Sequence, residues 1–200
     1  MEALKELLGR VKFYIQITHV GDFARRYFVM NGFDGSMTAL GVILGAWIAG
    51  VENPNVIVMT GLGACLAMGV SGFFSAYITE RAERRRQFKN LEEAMLTDLK
   101  DSLYKNATAF ASAFASLISG LSPSLTAIIP LAPFMLAITG ILSIWIAYIT
   151  SFLLTLGTLF SLGVYLGRIA RENVFLYGVE MLAAGMVIVI LLFLLGGLGG

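Results

Sequence analysis

Apolar residues run in long blocks along this chain, and polar residues gather between the blocks. A helix needs about 20 apolar residues to cross about 30 Å of hydrocarbon. Residues 27–51 meet that need, interrupted by Asn31 and Asp34. The polar run 52–55 (ENPN) predicts a turn, and residues 56–79 a second span. Residues 80–106 are charged, contain no Gly or Pro, and predict a continuation of the second helix beyond the membrane. Residues 107–129 predict a third span. Pro130 and Pro133 predict the turn after it, with the run 122–124 (SPS) competing for that role. Residues 134–167 are long for one crossing and short for two, and read as one tilted helix. Residues 168–173 are a polar connection, 174–195 a fifth span, and 196–200 a glycine-rich tail.

The segment 1–26 has a different pattern. Leu4, Leu7, Leu8, Val11 and Ile15 recur at helical spacing among Glu2, Lys5, Glu6 and Lys12. This predicts an amphipathic helix, lying on the membrane surface or packed on another part of the protein. It has neither an unbroken apolar region nor a small-residue cleavage site, so it does not read as a signal peptide.

Composition agrees with lipid as the solvent. Hydrophobic residues make up 58% of the chain and charged residues 14%, against about 45–50% and about 25% in soluble domains. That balance argues against a soluble enzyme, a disordered tail and a nucleic-acid binder. The single Cys65 excludes an intrachain disulfide and a cysteine-based zinc site, and the single His19 excludes a histidine-rich one. The basic residues then test the span count. Lys5, Arg10, Lys12, Arg25 and Arg26 precede span one; Arg81, Arg84, Arg85, Arg86, Lys89, Lys100 and Lys105 follow span two; Arg168 and Arg171 follow span four. With five spans all 14 fall on one side, whereas an even count scatters them. The expectation is an all-α polytopic membrane protein with five transmembrane helices. Its N-terminus is cytoplasmic, its second helix extends into the cytoplasm, and its C-terminus lies on the opposite side. The membrane is a cell or organelle membrane; no motif decides which. There is no sequence repeat, and an odd count argues against an inverted-repeat carrier within one chain. Two copies supply the symmetry instead, so a homodimer is expected.

The candidate chemistry lies in acids placed inside this apolar frame. Asp34 sits about seven residues into span one, on the order of 10 Å from the cytoplasmic end. A carboxylate at the bilayer centre costs about 2.5–3.5 kcal/mol on insertion scales and less near the ends. It reads as a cation ligand or proton carrier, or as an interfacial acid held by Arg25, Arg26 or a backbone group. Thr38, Gly41 and Gly45 continue its helical face as a stripe suited to close packing, to a pathway, or to both. Glu180 is a second acid at similar depth in span five, and it converges with Asp34 if spans one and five are neighbours. Its alternative is to snorkel or pair with Arg168 or Arg171.

Span two carries Met68, Gly72, Ser75, Thr79 and Glu83 along one face. Thioether and carboxylate together suit a borderline divalent transition metal, although a lone methionine more often packs than ligates. Glu80, Glu83, Glu92, Glu93, Asp98 and Asp101 crowd the cytoplasmic segment. Oxygen clusters bind divalent cations, but the interleaved Arg84, Arg85, Arg86 and Lys89 favour a solvated helix with Glu–Lys/Arg pairs. No phosphate-binding Gly-x-x-x-x-Gly-Lys-Ser/Thr run or Gly-x-Ser-x-Gly is present. The expectation is not an enzyme.

Three stretches resemble the vacuolar iron transporter family. Residues 24–41 (ARRYFVMNGFDGSMTALG) are similar to its first membrane helix, 68–83 (MGVSGFFSAYITERAE) to its second, and 178–185 (GVEMLAAG) to the start of its last. The prolines at 130 and 133 fit as a turn. The resemblance covers most of 24–195 and implies a homodimer with a metal path between the copies. Such proteins move Fe²⁺, and often Mn²⁺, out of the cytosol in exchange for protons. Asp34 then matches the pore aspartate and Met68 a helix-two methionine. Glu80 and Glu83 match carboxylates of a cytoplasmic metal-binding region, with Glu92 and Glu93 as looser matches. Family members often carry a glutamate in helix two where this chain has Phe73 and Phe74.

The expectation that follows is divalent-metal transport by proton antiport. Asp34, Thr38, Met68, Ser75 and Glu180 line the pathway, and Asp34, Met68, Glu80, Glu83, Glu92 and Glu93 hold metal. The metal is cargo, with no cofactor permanently bound; the other partner is lipid. Two rivals stand beside it: a non-transporting membrane metal sensor or scaffold, and a proton- or sodium-coupled carrier of a small solute.

Overall fold

The computed structural model of the protein describes Thr18 and residues 20–96 and 103–197, the side chains of 103–106 excepted. Most of the N-terminal amphipathic segment, His19, Asp98, Lys100, Asp101, the Lys105 side chain and the last three tail residues lie outside the described residues.

The described chain is helical. Five helices follow one another: α1 (Val20–Ile48), α2 (Pro54–Met95), α3 (Leu103–Ile138), α4 (Ile144–Ala170) and α5 (Val174–Gly197). All five are long and apolar enough to cross a membrane. The α2 helix has 42 residues, roughly 63 Å at 1.5 Å per residue, about twice the hydrocarbon thickness. The continuation expected from its charged half is present as helix as far as Met95, whereas residues 103–106, expected within it, open α3 instead.

The predicted turn at Pro130 and Pro133 is not there. The α3 helix runs through Pro123, Pro130 and Pro133 and ends at Ile138. Spanning helices tolerate proline because neighbouring groups satisfy the backbone it disturbs. The stop is made instead by Gly140, at φ +79°, with Gly140 N–H donating to Ala137 O and Ile141 N–H to Leu136 O. This left-handed closure needs a residue without a Cβ. Gly50, at φ +68°, ends α1 in the same way. Residues 134–138 thus belong to α3, and the fourth candidate span is the ordinary-length α4. Helix starts are capped by side chains: Asn53 Oδ1 accepts from Asn55 N–H before α2, and Asn173 Oδ1 from Phe175 N–H before α5.

Two compact units divide the chain, and α1, α2 and α3 each carry residues of both. The first comprises the stretch ending at Phe28 together with Val70–Leu121. Its core is small: Val20 against Ala111 and Ala115, flanked by Tyr27 and Phe114. Here Gly72 brings α2 onto α3, with Ser119 Oγ donating to the Gly72 carbonyl at 3.0 Å. The second unit comprises Val29–Gly69 and Ser122–Gly200. Ile43, Ile57, Val58, Phe134, Ala147 and Tyr148 form its larger cluster, and Ala39, Cys65, Ala127 and Leu131 a smaller one. Its helices meet over small residues and hydroxyls, as membrane helices do. The Ser151 hydroxyl donates to Pro130 O at 2.6 Å, and the α4–α5 hairpin closes where Gly163 and Gly167 face the backbone of Tyr177 and Val174.

Candidate functional site

The site in the second unit is built around α1. Gly32, Gly35, Ser36, Ala39 and Ile43 are buried on one side of this helix. A Cβ on Gly35 would stand 2.3 Å from Pro123 O, and one on Gly32 would stand 3.1 Å from the Thr126 Cγ2 methyl. The Thr126 hydroxyl sits 2.8 Å from Gly32 O and donates to it, tying the helices at that level. At 100° per residue, the opposite side of α1 carries Met30, Asp34, Thr38, Gly41 and Gly45. Asp34 and Met30 are exposed and Thr38 is half-buried, while a Cβ at Gly41 or Gly45 would meet nothing within 4 Å.

Asp34 therefore lies on the outer surface of the single chain. Glu180, read from sequence as another acid buried in the membrane, is exposed as well. The buried side of α5 is taken by Gly178 and Gly185, packed on Phe160 and Leu159. The condition set for the two acids does hold, since α1 and α5 are neighbours. Gly185 faces Leu40, Gly196 faces Ile48, and Trp47 meets Phe193 edge-on with ring centroids 6.0 Å apart. These contacts advance together along both helices, so the two run in the same direction. Asp34 and Glu180 precede the Leu40–Gly185 contact by six and five residues, which puts them at similar depth. Met68, in the same unit, is half-buried.

The carboxylates of the charged half of α2 belong to the other unit and are dispersed. Glu80 is buried: the Tyr27 hydroxyl donates to its Oε1 at 3.0 Å, and Arg84 Nε stands 3.3 Å from its Oε2. The Arg84 guanidinium also lies 5.6 Å from the centre of the Phe23 ring. Its Nε and Nη2 are buried without a hydrogen-bond partner among the described residues. Glu83, expected to share a metal-collecting face with Glu80, is exposed and accepts from Gln87. Glu93 lies 3.9 Å from Lys89, and Glu92 is half-buried. Glu80 is thus the acceptor of a folded-in cluster, and the Glu–Lys/Arg pairing is present. Ser75, a pathway candidate of this unit, is exposed and donates to Gly72 O at 3.4 Å. Phe73 stacks on Tyr77 with centroids 6.4 Å apart, so the position where a helix-two acid was sought holds an aromatic pair.

Arg25 and Arg26, offered as holders of Asp34, have other contacts: Arg25 pairs with Asp22, and Arg26 lies over the Phe23 and Tyr27 rings. Among the described residues, no group of three or more His, Cys, Asp or Glu stands together as a metal site. The sequence reading missed Tyr27 as the partner of Glu80. The available signal was an aromatic hydroxyl at the polar end of a span, where tyrosines commonly sit half in and half out of lipid.

No protein-family model matches the chain, and no solved structure matches it. The uncharacterized protein MJ0645 of Methanocaldococcus jannaschii is 33% identical over 178 residues, which is 88% of this chain and 90% of that protein. Identity at that level over nearly the whole of both chains is shared descent and shared fold: the chain belongs to the same family as MJ0645.

Proposed function

We propose that two copies of this chain pair through the Asp34 face of α1 and carry a divalent transition metal, Fe²⁺ first and Mn²⁺ second, out of the cytosol in exchange for protons. The observation that carries this reading is the outward position of Asp34. A carboxylate left against hydrocarbon is costly. The same face carries Gly41 and Gly45, spaced as in helix-pairing motifs and open to a close neighbour. A second copy laid there covers the acid and places two carboxylates at one site. Like charges brought together take up a dication or protons, so metal and protons compete for the same oxygens, which is the least an antiporter requires. Glu180, at similar depth on the adjacent α5, adds acid near this path. The resemblance to vacuolar iron transporters supports the same reading, and the distribution of the 14 basic residues supports a cytoplasmic N-terminus.

The test is Fe²⁺ uptake into proteoliposomes holding a pH-sensitive dye, wild type against Asp34→Asn. Metal entering while protons leave, lost in the variant, is the expected result. Near-normal flux in Asp34→Asn sinks the assigned role. One observation favours the sensor or scaffold reading: Phe73 and Tyr77 stack where a helix-two acid was sought. Saturable Fe²⁺ or Mn²⁺ binding without flux supports that alternative. Flux of an organic solute in place of metal supports a small-solute carrier.

A further inference from the structure

A cavity of about 310 Å³ opens in the second unit where α1, α4 and α5 come together. Trp47, Trp145, Tyr148, Phe152, Val189 and Phe193 are among its walls, which are almost wholly apolar. It is of the size of small-molecule sites, about 300–1,000 Å³. A smaller cleft shares Trp47, Trp145 and Tyr148 with it and adds the Glu52 turn. The Tyr148 hydroxyl donates to Val51 O at 2.7 Å and holds that turn beside the cavity mouth. An apolar chamber therefore continues into a rim with one carboxylate, between two tryptophans of the kind that mark a membrane interface. The two connecting turns at this end, residues 49–53 and 139–143, contain no Lys or Arg, and Glu52 is their only charge.

We infer that this cavity holds one membrane lipid, its hydrocarbon chain among the aromatic walls and an amine-bearing headgroup against Glu52. Charge decides the headgroup class. A lone carboxylate without a basic neighbour repels a purely anionic headgroup and attracts an ammonium. The site is separate from the Asp34 face, and its occupancy stands or falls without reference to transport.

The protein supplies its own reporter, because Trp47 and Trp145 are its only tryptophans. The chain is reconstituted in phosphatidylcholine vesicles with rising fractions of a bromine-labelled phosphatidylethanolamine or phosphatidylglycerol, and tryptophan quenching is recorded. Bromine quenches only on contact. The expected result is half-maximal quenching at a several-fold lower fraction of the amine lipid than of the glycerol lipid. Glu52→Gln should bring the two curves together, and Val189→Phe, which fills the chamber, should move both toward simple proportion to bulk lipid. Equal curves for the two lipids in the wild type overturn the proposal. So does uniform shielding from every bromine-labelled lipid, which means that a second copy or another protein covers the cavity. A normal helical spectrum and elution profile for both variants keep misfolding out of the comparison.

Discussion

Gly35 rests on the carbonyl of Pro123, closer than any side-chain carbon fits, and this contact turns the adjacent Asp34 out of the chain. Gly35→Ala should therefore act through packing. Overfilling a tight contact costs about 1–3 kcal/mol, read as a lower unfolding midpoint in detergent. Gly63→Ala, on α2 with open space around it, should not lower that midpoint. Equal effects at the two positions would show that the α1–α3 contact is not what sets the direction of Asp34.

Bulk on the open face should separate copies. With Gly41→Leu and Gly45→Leu together, light scattering in mild detergent should report a single chain where the wild type reports two, and metal flux should vanish while helix content is kept. A double variant that stays dimeric removes this face as the pairing surface.

The Glu80 cluster predicts an asymmetry between single and paired changes. Arg84→Met leaves a buried carboxylate without its cation, at a cost of about 3–5 kcal/mol. Tyr27→Phe removes one hydrogen bond, about 0.5–1.5 kcal/mol. Adding Glu80→Gln to Arg84→Met should restore much of the loss, and chemical unfolding of the four corners of that cycle measures it.

Metal capture and fold should also come apart along α2. Glu83→Gln, Glu92→Gln and Glu93→Gln combined should raise the half-saturating Fe²⁺ concentration by up to about tenfold, or 1.4 kcal/mol, with the maximal rate kept. Glu80→Gln should lower thermal stability and leave half-saturation where it was. The reverse pattern in the uptake assay would return Glu80 to the metal-binding residues.

The spans were legible because each is a long apolar block, and because the basic residues are ordered only if there are five. The end of α3 was misread for a physical reason. Pro130 and Pro133 look like punctuation in water, but α3 runs through both, and the residue that stops it is Gly140, whose backbone takes the left-handed turn. The acids were legible as anomalies. Their outward direction was not, because it depends on which face Gly32 and Gly35 give to α3, a matter of contacts about 90 residues away along the chain. Glu80 illustrates the same limit: its spacing from Glu83 suggests a shared face, but its hydrogen bond from Tyr27, 53 positions earlier, is not visible in that spacing. The aromatic cavity had no sequence signature, since Trp47, Trp145 and Phe193 come together only in three dimensions.

The α4–α5 hairpin bears on how the protein reaches its membrane. Its helices are joined by three residues, Arg171, Glu172 and Asn173, and are closed over Gly163, Gly167 and Gly178. The α4 helix carries Ser151, Thr155, Thr158 and Ser161, whereas α5 is almost without polar side chains apart from Glu180. So short a link leaves little room for one helix to enter the bilayer and the other to wait outside. The expected behaviour in a bilayer is therefore that of a single two-pass element, with the greasier α5 supplying the drive for both.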